Sequence, residues 1–153
     1  MNRKSDKHQP KAGIRLIAVI LALAWAVLIF VLSSIPGDSY PPHPGFLNYI
    51  AHAGEYLILA ALLTIALYGG KDNLLKVAMI ALIVSIAYAA SDEIHQMFVP
   101  NRVSDIIDWL CDSGGAVLGA IGSMIYLRFW PNSNQGAQQD HRKDELNRDE
   151  HRR

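Results

Sequence analysis

Residues 91–102 read SDEIHQMFVPNR and crowd Asp92, Glu93, His95, Gln96 and Arg102 into one short stretch between two apolar runs. Two other stretches have the same character. His52, Glu55 and Tyr56 follow i, i+3, i+4 spacing, and Asp105, Asp108 and Asp112 follow i, i+3, i+7. On a helix each set lies along one face. Imidazoles and carboxylates are the usual general bases and acids, and a guanidinium can clamp an anion with two parallel hydrogen bonds. The catalytic candidates are therefore His52, Glu55, His95 and Arg102, in the manner of a hydrolase working on a lipid-linked phosphate or amide. No nucleophile elbow, H-E-x-x-H or P-loop accompanies them, which counts against an enzyme.

Charge arithmetic sharpens the expectation. Glu55, Asp92, Glu93, Asp105, Asp108 and Asp112 make six acids against the one Arg102, a net charge of minus five if all are ionised. Glu93 and Asp105 are expected near water, and Arg102 is expected to pair with Asp92 or Asp105. The deeper acids must share protons, pair with protonated His52 and His95, or hold a cation. Two imidazoles with several carboxylates would suit zinc, manganese or iron. The spacing matches no metal motif, so no metal ligand or cofactor is assigned, and shared protons with histidinium pairing are the first choice. Stability and function are then expected to vary with pH between about 5 and 8, where histidine titrates. Plainer roles compete with these. His52 suits a packing histidine, and Asp105 and Asp108 suit a helix N-terminus, where acids gain about 0.3–1 kcal/mol each. Asp112 lies roughly 10 Å deeper at 1.5 Å per residue, and an aspartate in mid-membrane costs about 2.5–3.5 kcal/mol, which argues for a function.

The elements that must position these residues follow from the apolar pattern. Of the 153 residues, 51% are hydrophobic, and they gather in four blocks: Leu16–Ile35, Ile50–Tyr68, Leu74–Ala90 and Ile106–Leu127. Each approaches the roughly 20 residues that cross a bilayer. Four such blocks leave too little polar sequence to wrap a soluble core, so an all-α four-helix transmembrane bundle is expected. The first block, preceded by Arg3, Lys4, Lys7 and Lys11, is read as a span. It exceeds the about 7–15 residues of a signal-peptide core and has no A-x-A site after it. Residues 36–49 carry four prolines and form a loop. Gly69-Gly70 closes the second span. The lone Cys111 implies a free thiol and no disulfide framework. Residues 1–13 read as a basic cytoplasmic N-terminus, 14–130 as the membrane domain and 131–153 as a disordered polar tail. There is no internal repeat and no nucleic-acid signature.

Basic residues in short loops mark the cytoplasmic side. Five stand at or before Arg15; Lys71 and Lys76 flank the middle turn, and Arg128 follows the fourth block, whereas residues 34–49 have none and 91–105 only Arg102. Both termini are thus expected in the cytoplasm. His52, Glu55, Tyr56, Ser91, Asp92, Glu93, His95, Gln96, Arg102, Asp105, Asp108 and Asp112 then converge in one outward-facing polar pocket. Gly115 and Gly119 continue the Asp112 stripe as a G-x-x-x-G that lets another helix approach closely. Oligomerisation through that stripe is an alternative use of it.

The stretches HAGEY at 52–56, SDEIHQMFVPNR at 91–102 and DIIDWLCDSGGAVLG at 105–119 resemble the VanZ family of small bacterial membrane proteins. The resemblance runs from about residue 33 to 122. It puts His52, Glu55, Tyr56, Asp92, Glu93, His95, Gln96, Arg102, Asp108 and Asp112 on the family's characteristic polar positions. Where the family often has P-G-R this chain has Pro100-Asn101-Arg102, and asparagine tolerates a left-handed turn next best after glycine. Where the family often has Asn, Asp112 adds a charge. The resemblance implies a bacterial inner-membrane protein of the cell envelope and a link to glycopeptide (teicoplanin-type) antibiotic resistance. Two function classes are carried forward: binding of a lipid-linked cell-wall precursor or glycopeptide headgroup, and intramembrane hydrolysis. Transport by four spans would need oligomerisation.

Overall fold

A computed structural model describes residues 12–39, 44–70, 72–129 and 148. The basic stretch before Ala12, Lys71 and the polar tail therefore lie outside the described residues, apart from Arg148. The fold is all-helical: α1 (Ala12–Ser33), a 3-10 turn (Gly37–Ser39), α2 (Gly45–Leu67), α3 (Leu74–Gln96) and α4 (Ile106–Phe129). All four α-helices are long and apolar enough to cross a membrane. Their outward faces carry leucine, isoleucine, valine and phenylalanine, among them Leu16, Ile20, Leu23, Ile83, Leu118 and Ile125. In water such surface would be unfavourable at roughly 25 cal/mol per Å². Against hydrocarbon it carries no such penalty.

Helix ends follow local chemistry. α2 starts at Gly45, earlier than the apolar block that begins at Ile50, because Pro44 is the last proline of its loop and takes the N-cap in extended conformation. The span read as loop up to residue 49 thus ends in one helical turn, and its first part forms the 3-10 turn. α3 is capped by Asn73, whose Oδ1 accepts from the amides of Leu75 and Lys76 at 3.0 and 3.3 Å. α2 ends at Leu67 with Tyr68 as its extended C-cap, and Gly70 then adopts φ 76°, a left-handed turn cheap only for glycine. α3 runs through Gln96, so the titratable stretch 91–96 belongs to its last turns.

α2 is the hub. It packs most extensively on α4 and also on α1 and α3, whereas α1 and α4 do not touch among the described residues. The α2–α4 approach depends on Gly115 and Gly119: a Cβ on Gly115 would overlap the Ala53 carbonyl, and one on Gly119 the Leu57 carbonyl. The glycine stripe is therefore occupied by α2 within the same chain, which leaves it no face to offer a second copy. Below the polar end, Ile29, Tyr56, Leu59, Ala60, Ala89 and Ala116 form the main buried cluster. Polar atoms tie the helices where they cross. Trp25 Nε1 donates to the Glu55 carbonyl at 2.9 Å, Tyr88 Oη to the Ala26 carbonyl at 2.8 Å, and Arg15 Nε to the Ala66 carbonyl at 3.3 Å.

Candidate functional site

The C-terminal ends of α1 and α3 and the N-terminal ends of α2 and α4 meet at one end of the bundle. Two loops close over it. The Gly37 amide donates to the Pro100 carbonyl at 3.1 Å, and Asn101 Nδ2 donates to Asp38 Oδ2 at 3.1 Å. Asn101 has φ 57°, the left-handed turn for which asparagine is the best substitute for glycine. Gly37 is needed for closeness: a Cβ there would overlap the Asn101 carbonyl.

Beneath this latch lies a cavity of about 510 Å³. Its polar walls are Ser33, Asn48, His52, Glu55, Asp92, Gln96, Asn101, Arg102 and Asp108, and its apolar walls include Leu32, Leu47 and Val103. Six of the residues expected from the sequence thus share the cavity: His52, Glu55, Asp92, Gln96, Arg102 and Asp108. Gln96 Nε2 donates to Asp92 Oδ2 at 3.1 Å, one helical turn apart.

His52 connects the cavity to a buried layer beneath it. Its Nδ1 lies 3.1 Å from Asp112 Oδ1, and its Nε2 lies 3.9 Å from Asp108 Oδ2. Asp112 is fully buried, and its other oxygen, Oδ2, has no hydrogen-bond partner. The carboxylate of Asp108 is held by Asn48 Nδ2, at 3.2 and 3.1 Å from its two oxygens. Asn48 was not singled out in the sequence. It stands one turn before His52 on the same face of α2, which is the signal that would have found it.

Glu93 differs from expectation. It is buried, at 7% exposure, where a hydrated rim position was expected. Its Oε2 accepts from Ser104 Oγ at 2.9 Å and the Asp105 amide at 3.0 Å, which pulls the start of α4 against the end of α3. Its Oε1 has no hydrogen-bond partner. Asp105 caps α4 by accepting from the Ile107 amide at 2.9 Å, the plainer of its two sequence readings.

Arg102 adds contacts that the sequence did not indicate: its Nε donates to the Ile35 carbonyl at 3.1 Å and its Nη2 to the Leu32 carbonyl at 3.0 Å. These contacts follow from geometry, since α1 ends directly beside the α3–α4 loop and its last carbonyls lack intrahelical partners. His95 turns away from the cavity. It stacks on Phe30 with ring centroids 4.6 Å apart, and its Nε2 meets Ser34 Oγ at 3.0 Å. Ser34 Oγ already donates to the Phe30 carbonyl, so Nε2–H is the donor to Ser34, a tautomer assigned from this network. The expected pair of imidazoles in one pocket is therefore a single imidazole, His52. Ser91 is exposed, and its hydroxyl donates within its own turn to the Tyr88 carbonyl at 2.7 Å. Tyr56 is fully buried in the core below the cavity, with its hydroxyl unpartnered and its ring 6.2 Å from that of Tyr88.

Chemically, the arrangement offers one imidazole between a buried carboxylate and an open cavity, a guanidinium at the rim, and amides and carboxylates around the wall. No curated protein and no solved structure matches the chain. The sequence model of the VanZ/LLP1 family matches residues 18–130, from the second turn of α1 to just past α4, and the chain belongs to that family.

Proposed function

We propose that this is a multi-pass protein of the bacterial inner membrane whose polar cavity opens away from the cytoplasm and binds the headgroup of a lipid-linked cell-wall precursor or a glycopeptide. The observation that carries the reading is the cavity itself. Its size falls within the range of small-ligand sites, about 300–1,000 Å³. Its walls pair Arg102, suited to a phosphate or carboxylate, with Asn48, Asp92, Gln96 and Asp108, suited to hydroxyls and amines. Leu47 lines the cavity and is 43% exposed, so a headgroup inside and an acyl or prenyl tail outside can be joined there. The basic residues at 3–15, 71, 76 and 128 support an orientation with both termini cytoplasmic. Residues 14–130 then constitute the membrane domain, between a basic cytoplasmic segment and a polar tail. A part in glycopeptide resistance rests on family membership alone.

The test uses the full chain in lipid nanodiscs, offered a polyprenyl-diphosphate-linked disaccharide or a soluble glycopeptide. Saturable binding of one of them is expected, weakened about tenfold or more by Asp108→Asn, since a hydrogen bond to a charged group contributes about 1.5–3 kcal/mol. No saturable binding of either probe by the parent chain overturns the reading.

One observation favours a second reading, intramembrane hydrolysis. Asp112 holds His52 Nδ1 while Nε2 borders the cavity, the arrangement by which a carboxylate orients a general base. His52 Nε2 would take a proton from water as the water oxygen bonds to the phosphorus or carbonyl carbon of a group held at Arg102, and would return that proton to the leaving oxygen or nitrogen as its P–O or C–N bond breaks. Release of product from the same probes by the parent, lost in His52→Gln, would replace binding with catalysis.

A further inference from the structure

Beneath the cavity, three side chains that lie far apart in sequence converge: His52 from α2, Glu93 from α3 and Asp112 from α4. Each offers one ligand atom, and those atoms all lie within 4.8 Å of one another. All three residues are more than nine-tenths buried, at 6%, 7% and 0% exposure. Acids close together are common without an ion, so convergence alone decides nothing. The second observation is that Glu93 Oε1 and Asp112 Oδ2 are both buried without a hydrogen-bond partner. Buried carboxylate oxygens are ordinarily paired or bound to metal, because an unpartnered one forfeits its hydration. Here both belong to residues whose ligand atoms converge with that of His52.

We infer that His52, Glu93 and Asp112 bind a divalent transition-metal ion at the floor of the cavity. Two carboxylates and a 2+ ion sum to zero charge, which removes the cost of burying either acid alone. Spacing agrees. Ligand atoms about 2.1 Å from one ion at a tetrahedral angle stand about 3.4 Å apart. Nδ1 of His52 and Oδ1 of Asp112 are 3.1 Å apart, and side-chain closure of at most about 1.4 Å, from the 4.8 Å bound, would bring in Glu93. One nitrogen and two oxygens suit Zn²⁺ or Mn²⁺ better than Mg²⁺ or Ca²⁺, which prefer oxygen alone. Three protein ligands leave at least one coordination position, as in zinc sites that act on water or substrate. His52 is the one ligand that also lines the cavity, so the ion is reached from there. The surrounding groups already serve as supports: Ser104 and the Asp105 amide fix the other oxygen of Glu93.

The inference goes beyond headgroup binding and is tested with metal ions alone. Full-length protein purified in detergent is stripped with chelator and titrated with Zn²⁺, Mn²⁺ and Mg²⁺, following thermal unfolding and bound metal. About one equivalent of Zn²⁺ or Mn²⁺ is expected per chain, with the melt raised by the ion and lowered again by chelator. Glu93→Gln and Asp112→Asn should each weaken binding about tenfold or more, at least the loss that follows from disturbing a ligand's support. Asp72→Asn, at the far end of the bundle, should leave it unchanged. Absence of stoichiometric Zn²⁺ and Mn²⁺ binding by the parent overturns the inference. So does binding that survives both ligand substitutions, since the ion would then sit elsewhere. If Asp112→Asn fails to fold, Glu93→Gln and the parent titration still decide.

Discussion

Arg102 illustrates how one side chain can serve structure and site together. Its stem crosses from the α3–α4 loop to the end of α1, where it donates to the Leu32 and Ile35 carbonyls while lining the cavity. Arg102→Ala should cost about 1.5–3 kcal/mol, the worth of a hydrogen bond from a charged donor. Arg102→Lys should recover only part of that, because an ammonium lacks the planar fork that spans two acceptors. Unfolding of the purified variants in detergent measures both. Equal stability of all three proteins would make Arg102 a solvated loop residue. The sequence pointed to Arg102 as the key cation but not to its partners, because backbone carbonyls at a helix end carry no residue identity to read. The same limit explains His95: its partner Ser34 lies 61 residues away on α1, a helix that looked purely apolar. By contrast, His52 and Asp112 were each singled out as titratable groups on a helix stripe, although the sequence did not say which acid would meet His52.

At the scale of elements, the helices were legible because four long apolar blocks admit few alternatives. Their ends were less so. Proline position set the start of α2, and asparagine and aspartate caps set α3 and α4, details that composition alone blurs. The G-x-x-x-G stripe was legible as a contact surface but not its occupant, since any helix with a small-residue face could fill it. α2 does so, with the carbonyls of Ala53 and Leu57 in the space a side chain would need. Gly115→Ala should therefore force α2 and α4 apart and destabilise the fold by about 1–3 kcal/mol, as overpacking does elsewhere. Gly114→Ala should be neutral or slightly stabilising, for nothing lies within 4 Å of its Cβ position and alanine is the better helix former. Thermal unfolding of the two single variants separates the close-contact account from a general intolerance of substitution in α4.

At the scale of the whole molecule, all cavity-lining residues gather at one end of an up-and-down bundle, so the side of the membrane that end faces decides what the protein can meet. The distribution of basic residues favours the non-cytoplasmic side. Cysteines placed at Ser39 and at Asn101, both exposed on the loop latch, should therefore react with a membrane-impermeant thiol reagent in intact cells. One at Asp72, exposed at the opposite end, should not. Labelling at 72 alone would invert the orientation. The hub position of α2 has a further consequence, for biogenesis. Its largest interface is with α4, the last of the described spans to be made, and His52 must wait for Asp112, 60 residues later in the chain. At about 5–20 residues per second, α2 spends about 3–12 seconds in being with its polar face unmatched. During that interval the nascent chain carries a histidine and a glutamate in a helix that lipid alone cannot satisfy. Whatever shelters α2 in the insertion machinery must hold it until α4 arrives, and the synthesis of α4 is the event that lets it go.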